Sequence, residues 1–289
     1  MEELNGKVAF ITGGASGIGL SMAEAFGREG MSVMLADIEA AALERALTGL
    51  REQQIKAEGV IVDVASREAV RAAAEATIAA FGKVHVVCNN AGVGAGGPLG
   101  VVAPSDWDWV IDVNLKGVVY GVEVFAPLIE AHGEGGHFVN TASLAGMVSP
   151  PGMEPYCATK FAVVAMSEGW AQQLAAKNIG VSVLCPGYVK TRINESRRNR
   201  PAAYGPDERS PPPAGAPPSP VLSGIDVAPV GRRVVEAVKA NELYIFTHPG
   251  SKANVAARFE RILAAFDAAE ASLALADIPR SQGNVPANG

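Results

Sequence analysis

Tyr156 and Lys160 stand four residues apart at the start of a stretch with helical periodicity, so both side chains fall on one helix face. A tyrosine with an unperturbed pKa near about 10 is a poor base at neutral pH, and an ammonium held beside it favours the phenolate. The pair is a candidate proton-transfer device. Alone, the spacing recurs by chance, and a solvated lysine beside a half-buried tyrosine satisfies it equally. Further reactive or polar residues stand upstream: Ser143 in NTASLAG, thirteen residues before Tyr156, and Asn89-Asn90-Ala91-Gly92. Asn114, in DVNLKG, lies within a helical stretch where asparagine has no propensity reason to be. Pro186-Gly187 and Thr191 follow a later apolar run.

A second chemistry is written at Thr12 to Gly19, TGGASGIG. The apolar run Val8-Ala9-Phe10-Ile11 precedes it and a helical pattern from Ile18 follows, giving strand, glycine turn and helix. Gly13 suits a sharp exit from the strand, Gly17 leaves the backbone open to a pyrophosphate, and Gly19 lets helix and sheet approach. The helix N–H groups and dipole then face the anion. The spacing is G-x-x-x-G-x-G rather than G-x-G-x-x-G, so an ordinary glycine-rich loop remains the alternative. Asp37 ends the next apolar run, eighteen residues after Gly19. There a carboxylate accepts hydrogen bonds from adenosine ribose hydroxyls and repels a 2′-phosphate. No arginine or lysine stands at Ala15, Ser16 or Ile38 to offset it, which favours NAD over NADP; a helix N-cap is the plainer use of such an aspartate. Asp63-Val64 follows the third run in the same register, within reach of an adenine edge.

The elements that must position these groups alternate. Strands are expected at Val8–Ile11, Val33–Ala36, Gly59–Val62, Val84–Cys88, His137–Thr141, Val181–Cys185 and Tyr244–Thr247. Helices are expected after Ile18 and over Glu39–Gln53, Arg67–Phe81, a long helix within Asp106–Ala131, Tyr156–Lys177 and Asp226–Ala240. Continuously apolar strands alternating with such helices predict a single-domain α/β fold: a Rossmann-like doubly wound parallel sheet of about seven strands, with helices on both faces. The domain is expected over residues 1–250. A segment at 188–225, with eight prolines between Pro201 and Pro220, interrupts the rhythm just past a strand end. It is expected to be a flap with ordered roots near Val189–Glu195 and a mobile tip near Ser210–Ser219. A last helix over 251–276 carries Val255, Phe259, Ile262, Leu263 and Phe266 on one face, to cover the core or meet another subunit. The tail 277–289 is expected to be disordered.

A net charge of −6 leaves no basic footprint for nucleic acid, and no apolar run has the length of a membrane span. MEELNGKVAF does not resemble a signal peptide. Cys88, Cys157 and Cys185 each lie in or beside apolar runs, as buried thiols of a reducing, cytoplasmic compartment would. His85, His132, His137 and His248 show no ligand spacing, so no metal site is expected.

Taken together, the glycine turn, Asn89-Asn90-Ala91-Gly92, Asn114, Ser143, Tyr156 with Lys160, and Pro186-Gly187 with Thr191 resemble the short-chain dehydrogenase/reductase family from about Gly6 to Thr247. The resemblance implies an NAD-dependent enzyme interconverting a secondary alcohol and its ketone. By it, Gly13, Ser16, Gly17, Ile18 and Gly19 hold the pyrophosphate, Asp37 the adenosine ribose, and Asp63 and Val64 the adenine. Asn90 braces the turn, while Ala91, Gly92, Pro186 and Gly187 line the cofactor. Val189, through its backbone, and Thr191 fix the carboxamide. Ser143 binds the substrate oxygen, Tyr156 is the acid/base, and Lys160 binds the nicotinamide ribose and depresses the Tyr156 pKa. Asn114 holds a water that links Lys160 to solvent. The resemblance further implies a homodimer or homotetramer.

Leu144, Met147, Pro150, Pro151, Met153 and Tyr188 suggest a roomy apolar substrate site. Arg192, Arg197, Arg198 and Arg200 on the flap would either attract an anionic group or simply be solvated. NESRRNRPAAYG at 194–205 and ELYIFTHP at 242–249 resemble a narrower branch, bacterial Cα-dehydrogenases that oxidise benzylic alcohols of aryl ethers. An NAD(H)-binding sensor without turnover and an NADP-dependent carbonyl reductase are the competing readings.

Overall fold

The computed structural model describes residues 1–207 and 218–279. Seven strands form one parallel sheet: β1 (Val8–Thr12), β2 (Ser32–Asp37), β3 (Ala57–Ile61), β4 (Val86–Asn89), β5 (Gly136–Thr141), β6 (Ile179–Cys185) and β7 (Tyr244–Phe246). Their order is β3-β2-β1-β4-β5-β6-β7. The chain therefore winds outward from β1 in one direction, returns, and winds outward from β4 in the other. The loops leaving β1 and β4 diverge at that reversal, and a crevice opens at the carboxyl ends of the strands.

Alternation along the strands sends side chains into two apolar layers. Ile11, Leu35, Cys88, Val139 and Leu184 pack with α1 (Gly17–Arg28), α2 (Ala40–Glu52) and α7 (Val227–Ala240). Phe10, Met34, Val87, Phe138 and Val181 face α3 (Arg67–Phe81), α4 (Pro104–Ile111), α5 (Gly117–His132) and α6 (Glu154–Ala175). Phe10 and Phe125 meet in the second layer with ring centroids 4.4 Å apart and planes tilted by 35°. Both faces being covered explains why the strands read as continuous apolar runs.

The long helix expected within 106–131 runs from α4 into α5 through a π-helical turn over Asp112–Lys116, with helical backbone at both junctions. Such a turn inserts one residue into the helical ladder and re-aims side chains locally, and it recurs at functional sites. Asn114 sits in this turn, which accounts for an asparagine where propensity gives it no place.

The flap roots are pinned by a parallel bridge between Val189 and Ile225, with Lys190 N donating to Ile225 O at 2.9 Å. Order extends past the expected Val189–Glu195 root, through 3₁₀ turns at Ile193–Asn199 and Ala202–Tyr204. The expected mobile tip lies outside the described residues except for Pro218 and Ser219, and the tail beyond residue 279 lies wholly outside them. The chain divides into two compact units, Met1–His248 and Pro249–Gly289. Within the second, α8 (Lys252–Glu270) carries the apolar stripe of Val255, Phe259, Ile262, Leu263 and Phe266. Among the described residues no helix is long and apolar enough to cross a membrane. All three cysteines are buried and free.

Candidate active site

The carboxyl ends of β1, β4, β5 and β6 bring the expected site residues into one region. At the glycine turn, Gly17 has φ +57°, a left-handed backbone that side chains resist, and it opens α1. A Cβ on Gly19 would lie 2.1 Å from Gly13 O, so helix and turn approach as only glycine permits. The N-cap, Ser16, makes no side-chain cap bond, and the first turn of α1 holds no acidic residue. The helix N–H groups are thus left for an external anion, and the cradle fits a pyrophosphate.

Asn90 and Thr12 weld this turn to β4. Asn90 Nδ2 donates to Thr12 O at 3.0 Å, while Thr12 Oγ1 accepts from Asn90 N at 2.9 Å and from Ala91 N at 3.0 Å. Asp37 is buried at the tip of β2, accepting from Ala15 N at 2.9 Å and from Glu39 N at 3.0 Å. A carboxylate has about four lone-pair sites, so two remain for a diol such as a ribose. Asp63 caps its own turn by accepting from Ala65 N at 3.0 Å, and Val64 is buried beneath it.

Lys160 is buried, and its Nζ donates to Thr141 O at 2.8 Å. Burial pulls its pKa down to about 8. The same Nζ lies 5.5 Å from the centre of the Tyr156 ring. Tyr156 is half-buried and hydrogen-bonds Ser143. The expected depression of its pKa is not what the protein's own groups produce. Burial pushes the phenol up to about 12, and the Ser143 hydrogen bond is the contribution that lowers it. Ser143 Oγ is fixed by Ala145 N at 3.1 Å. Asn114, fully buried, binds the backbone of Val93 both ways: its Oδ1 accepts from Val93 N at 2.8 Å and its Nδ2 donates to Val93 O at 2.9 Å. Its side chain thus anchors the loop after Gly92 beside Lys160. A Cβ on Gly92 would sit 3.4 Å from Asn114 Oδ1 and 3.6 Å from Lys160 Nζ.

Around this centre, Leu144 and Met153 are half-buried and Met147 is buried, but Tyr188 is largely exposed and Pro150 and Pro151 face solvent. Pro186 O accepts from Leu144 N at 2.9 Å, tying the β5 and β6 ends together. Arg197 and Arg200 are largely buried in ion pairs, which corrects both alternatives for these two, whereas Arg192 and Arg198 are exposed as well as paired. Arg197 and Arg200 converge on buried Asp106, Arg200 Nε at 3.2 Å, and Arg198 pairs with Glu39. Arg192 pairs with Glu195 at 3.0 Å. Tyr204 Oη adds a bond to Asp112 Oδ2 at 2.7 Å.

Several contributors are not legible as site residues. Thr12 and Thr141 look like ordinary strand ends. His248 Nδ1 accepts from Gly187 N at 3.1 Å, and its Nε2 then donates to Tyr188 O at 3.1 Å, bracing the loop after β6. Ser196, buried in the flap, accepts from Gly94 N at 3.0 Å. Their only sequence signal is position just past a strand end or in the flap.

The short chain dehydrogenase family matches residues 7–202. The chain belongs to that family, and it is an oxidoreductase. The chain is 36% identical over 269 residues to a C alpha-dehydrogenase of Sphingobium sp., covering 91% of this chain and 87% of that one. It is 31% identical over 282 residues to a CLA biosynthesis dehydrogenase/reductase of Lactiplantibacillus plantarum, covering 91% and 95%. A solved short chain dehydrogenase/reductase from Burkholderia phymatum in complex with NAD superposes with TM-score 0.86 at 42% identity, covering 91% of this chain and 96% of that chain.

Proposed function

We propose that this dehydrogenase oxidises a bulky apolar or aromatic secondary alcohol to its ketone with NAD, or runs the reverse reduction. The observation that carries the reading is the meeting of Tyr156, Ser143 and Lys160 at the carboxyl end of β5, beside a glycine turn whose helix N-terminus is uncapped.

The glycine turn, from Gly13 through Ser16, Gly17, Ile18 and Gly19, would hold the pyrophosphate, and Asp37 the adenosine ribose diol. Asp37 would also repel a 2′-phosphate, which disfavours NADP. Asp63 and Val64 would flank the adenine. Ala91, Gly92, Pro186, Gly187, Val189 and Thr191 would line the nicotinamide half. Bound NAD supplies a hydride acceptor and, at its oxidised ring, a positive charge. Ser143 would donate to the substrate oxygen and hold it against Tyr156 Oη, which as the phenolate takes the hydroxyl proton. Lys160 would bind the nicotinamide ribose and keep an ammonium within electrostatic reach of that phenolate. Since burial alone raises the Tyr156 phenol, its activation would depend on those neighbouring charges. Asn114 would keep the Gly92 loop and the proton path beside Lys160 in place. The expected assembly is a homodimer or homotetramer.

Benzylic alcohols are the first substrates to try, since the resemblance to Cα-dehydrogenases points there and every flap arginine named above already has a carboxylate partner. The test mixes the protein with NAD or NADP and a panel of benzylic aryl ethers, steroids, terpenols and short alcohols, following reduced nicotinamide. Turnover with NAD on a bulky class is expected. NADH binding with silence across the whole panel would favour the sensor reading, and preference for NADP would overturn the role of Asp37.

A further inference from the structure

The stretch Thr191–Asn199 forms a strap across the glycine turn. At one end Thr191 lies against the turn: a Cβ on Gly17 would come within 3.1 Å of its methyl. In the middle Ser196 Oγ holds Gly94 N. At the other end Arg198 Nη2 donates to Glu39 Oε1 at 2.5 Å and Asn199 Nδ2 donates to the same oxygen at 2.9 Å. Arg192 Nη1 lies 3.9 Å from the second oxygen, Oε2. Glu39 is two residues beyond Asp37, and Asp37 in turn holds Ala15 N of the turn. The strap therefore runs from the glycine turn to the residues just past the end of β2, joining residues 159 and 160 apart in sequence.

We propose that Glu39, Arg198 and Asn199 form a clasp that retains the dinucleotide, acting as positioning residues whose contact must open before the nucleotide leaves. This rests on the NAD reading above. A nucleotide with its pyrophosphate on the turn and its ribose on Asp37 lies under the strap, so the strap has to lift for release. Glu39 and Arg198 are both partly exposed, with side-chain exposures of 22% and 25%. The clasp can thus break without unfolding the core, and salt screens it in part. Glu39 also carries the signature of a working ion pair: the Arg198 hydrogen bond holds its carboxyl below the usual range.

The test is the dissociation rate of NADH, read by its fluorescence on rapid displacement and independent of turnover. Glu39→Gln and Arg198→Ala are each expected to speed release about 3- to 10-fold, and Asn199→Ala less. The double variant Glu39→Gln/Arg198→Ala is expected to release no faster than the more affected single variant, because both remove one contact. Added salt is expected to speed release from the parent protein and not from the double variant. An unchanged rate in both charge variants, or fully additive effects in the double variant, overturns the clasp while leaving the NAD reading intact. Failure of NADH to bind the parent protein overturns both.

Discussion

The two ends of the sheet are stocked with similar side chains and use them in opposite ways. At the amino ends of the strands the fold gathers His85, His132 and Glu134 so closely that their ligand atoms lie within 4.8 Å of one another. Sequence spacing does not show this grouping. Yet its hydrogen-bonding capacity is already used. His85 Nδ1 accepts from Val8 N at 3.1 Å, leaving Nε2 to donate to Glu134 at 3.0 Å. His132 Nδ1 accepts from Glu134 N at 3.2 Å, leaving Nε2 to donate to Val84 O at 2.8 Å. Lys7 and Lys83 also pair with Glu134. At the carboxyl ends, the α1 N–H groups lack a side-chain cap and Asp37 keeps lone pairs to spare. Proximity of reactive groups therefore does not make a site. A site needs capacity that the fold leaves unspent.

The largest effect that would sharpen this contrast is at Tyr156. Tyr156→Phe is expected to lower alcohol oxidation by about 10²–10⁴-fold, the usual scale of general acid–base catalysis, with NADH binding retained in a fluorescence titration. Wild-type turnover in this variant would break the assignment. Ser143→Ala is expected to lower kcat/KM for alcohol oxidation and move its acidic limb to higher pH, because the Ser143 bond is what lowers the Tyr156 pKa. An unshifted profile would detach Ser143 from the phenol.

The opposite end should answer in stability alone. His85→Ala leaves Val8 N and Glu134 without their partner and is expected to cost about 1–3 kcal/mol in urea unfolding, with turnover of the folded protein unchanged. Lost catalysis at full stability would erase the contrast. His137, buried in β5, donates through Nε2 to Ser182 Oγ at 2.8 Å, and its Nδ1 has no partner among the described residues. Burial lowers its pKa to about 3. The unfolded chain, titrating near about 6.5, then binds the extra proton first. Stability should fall by up to about 1.4 kcal/mol per pH unit as pH drops from about 6.5 towards 3, and not change on this account above that range. Melting curves of His137→Gln should be flatter over that range. The smallest expected effect is that of zinc, which should leave the melting temperature unmoved because the His85 and His132 lone pairs are occupied.

Much of the site is legible in the amino-acid sequence. The glycine turn, Asp37, Asn90, Ser143, Tyr156 and Lys160 are local motifs: each follows a strand or opens a helix, and alternating strands and helices leave such residues at one edge of a parallel sheet. The strand count and both helical layers follow from the same periodicity. Asn114 stands out along the chain only as a residue out of place, and the π-turn that holds it packs against α6, far along the chain.

What the sequence by itself determined was the parallel α/β fold and the order of the motifs, because apolar period and turn chemistry are local. Only the tertiary structure decided which charges were spent. Asp106 and Glu39 claim flap arginines across 91 to 159 residues of chain. His248 braces the loop after β6 from 61 residues away. Burial pushes the Tyr156 phenol up. These outcomes depend on distance and solvent exclusion in three dimensions, and neither is carried by a residue's neighbours along the chain.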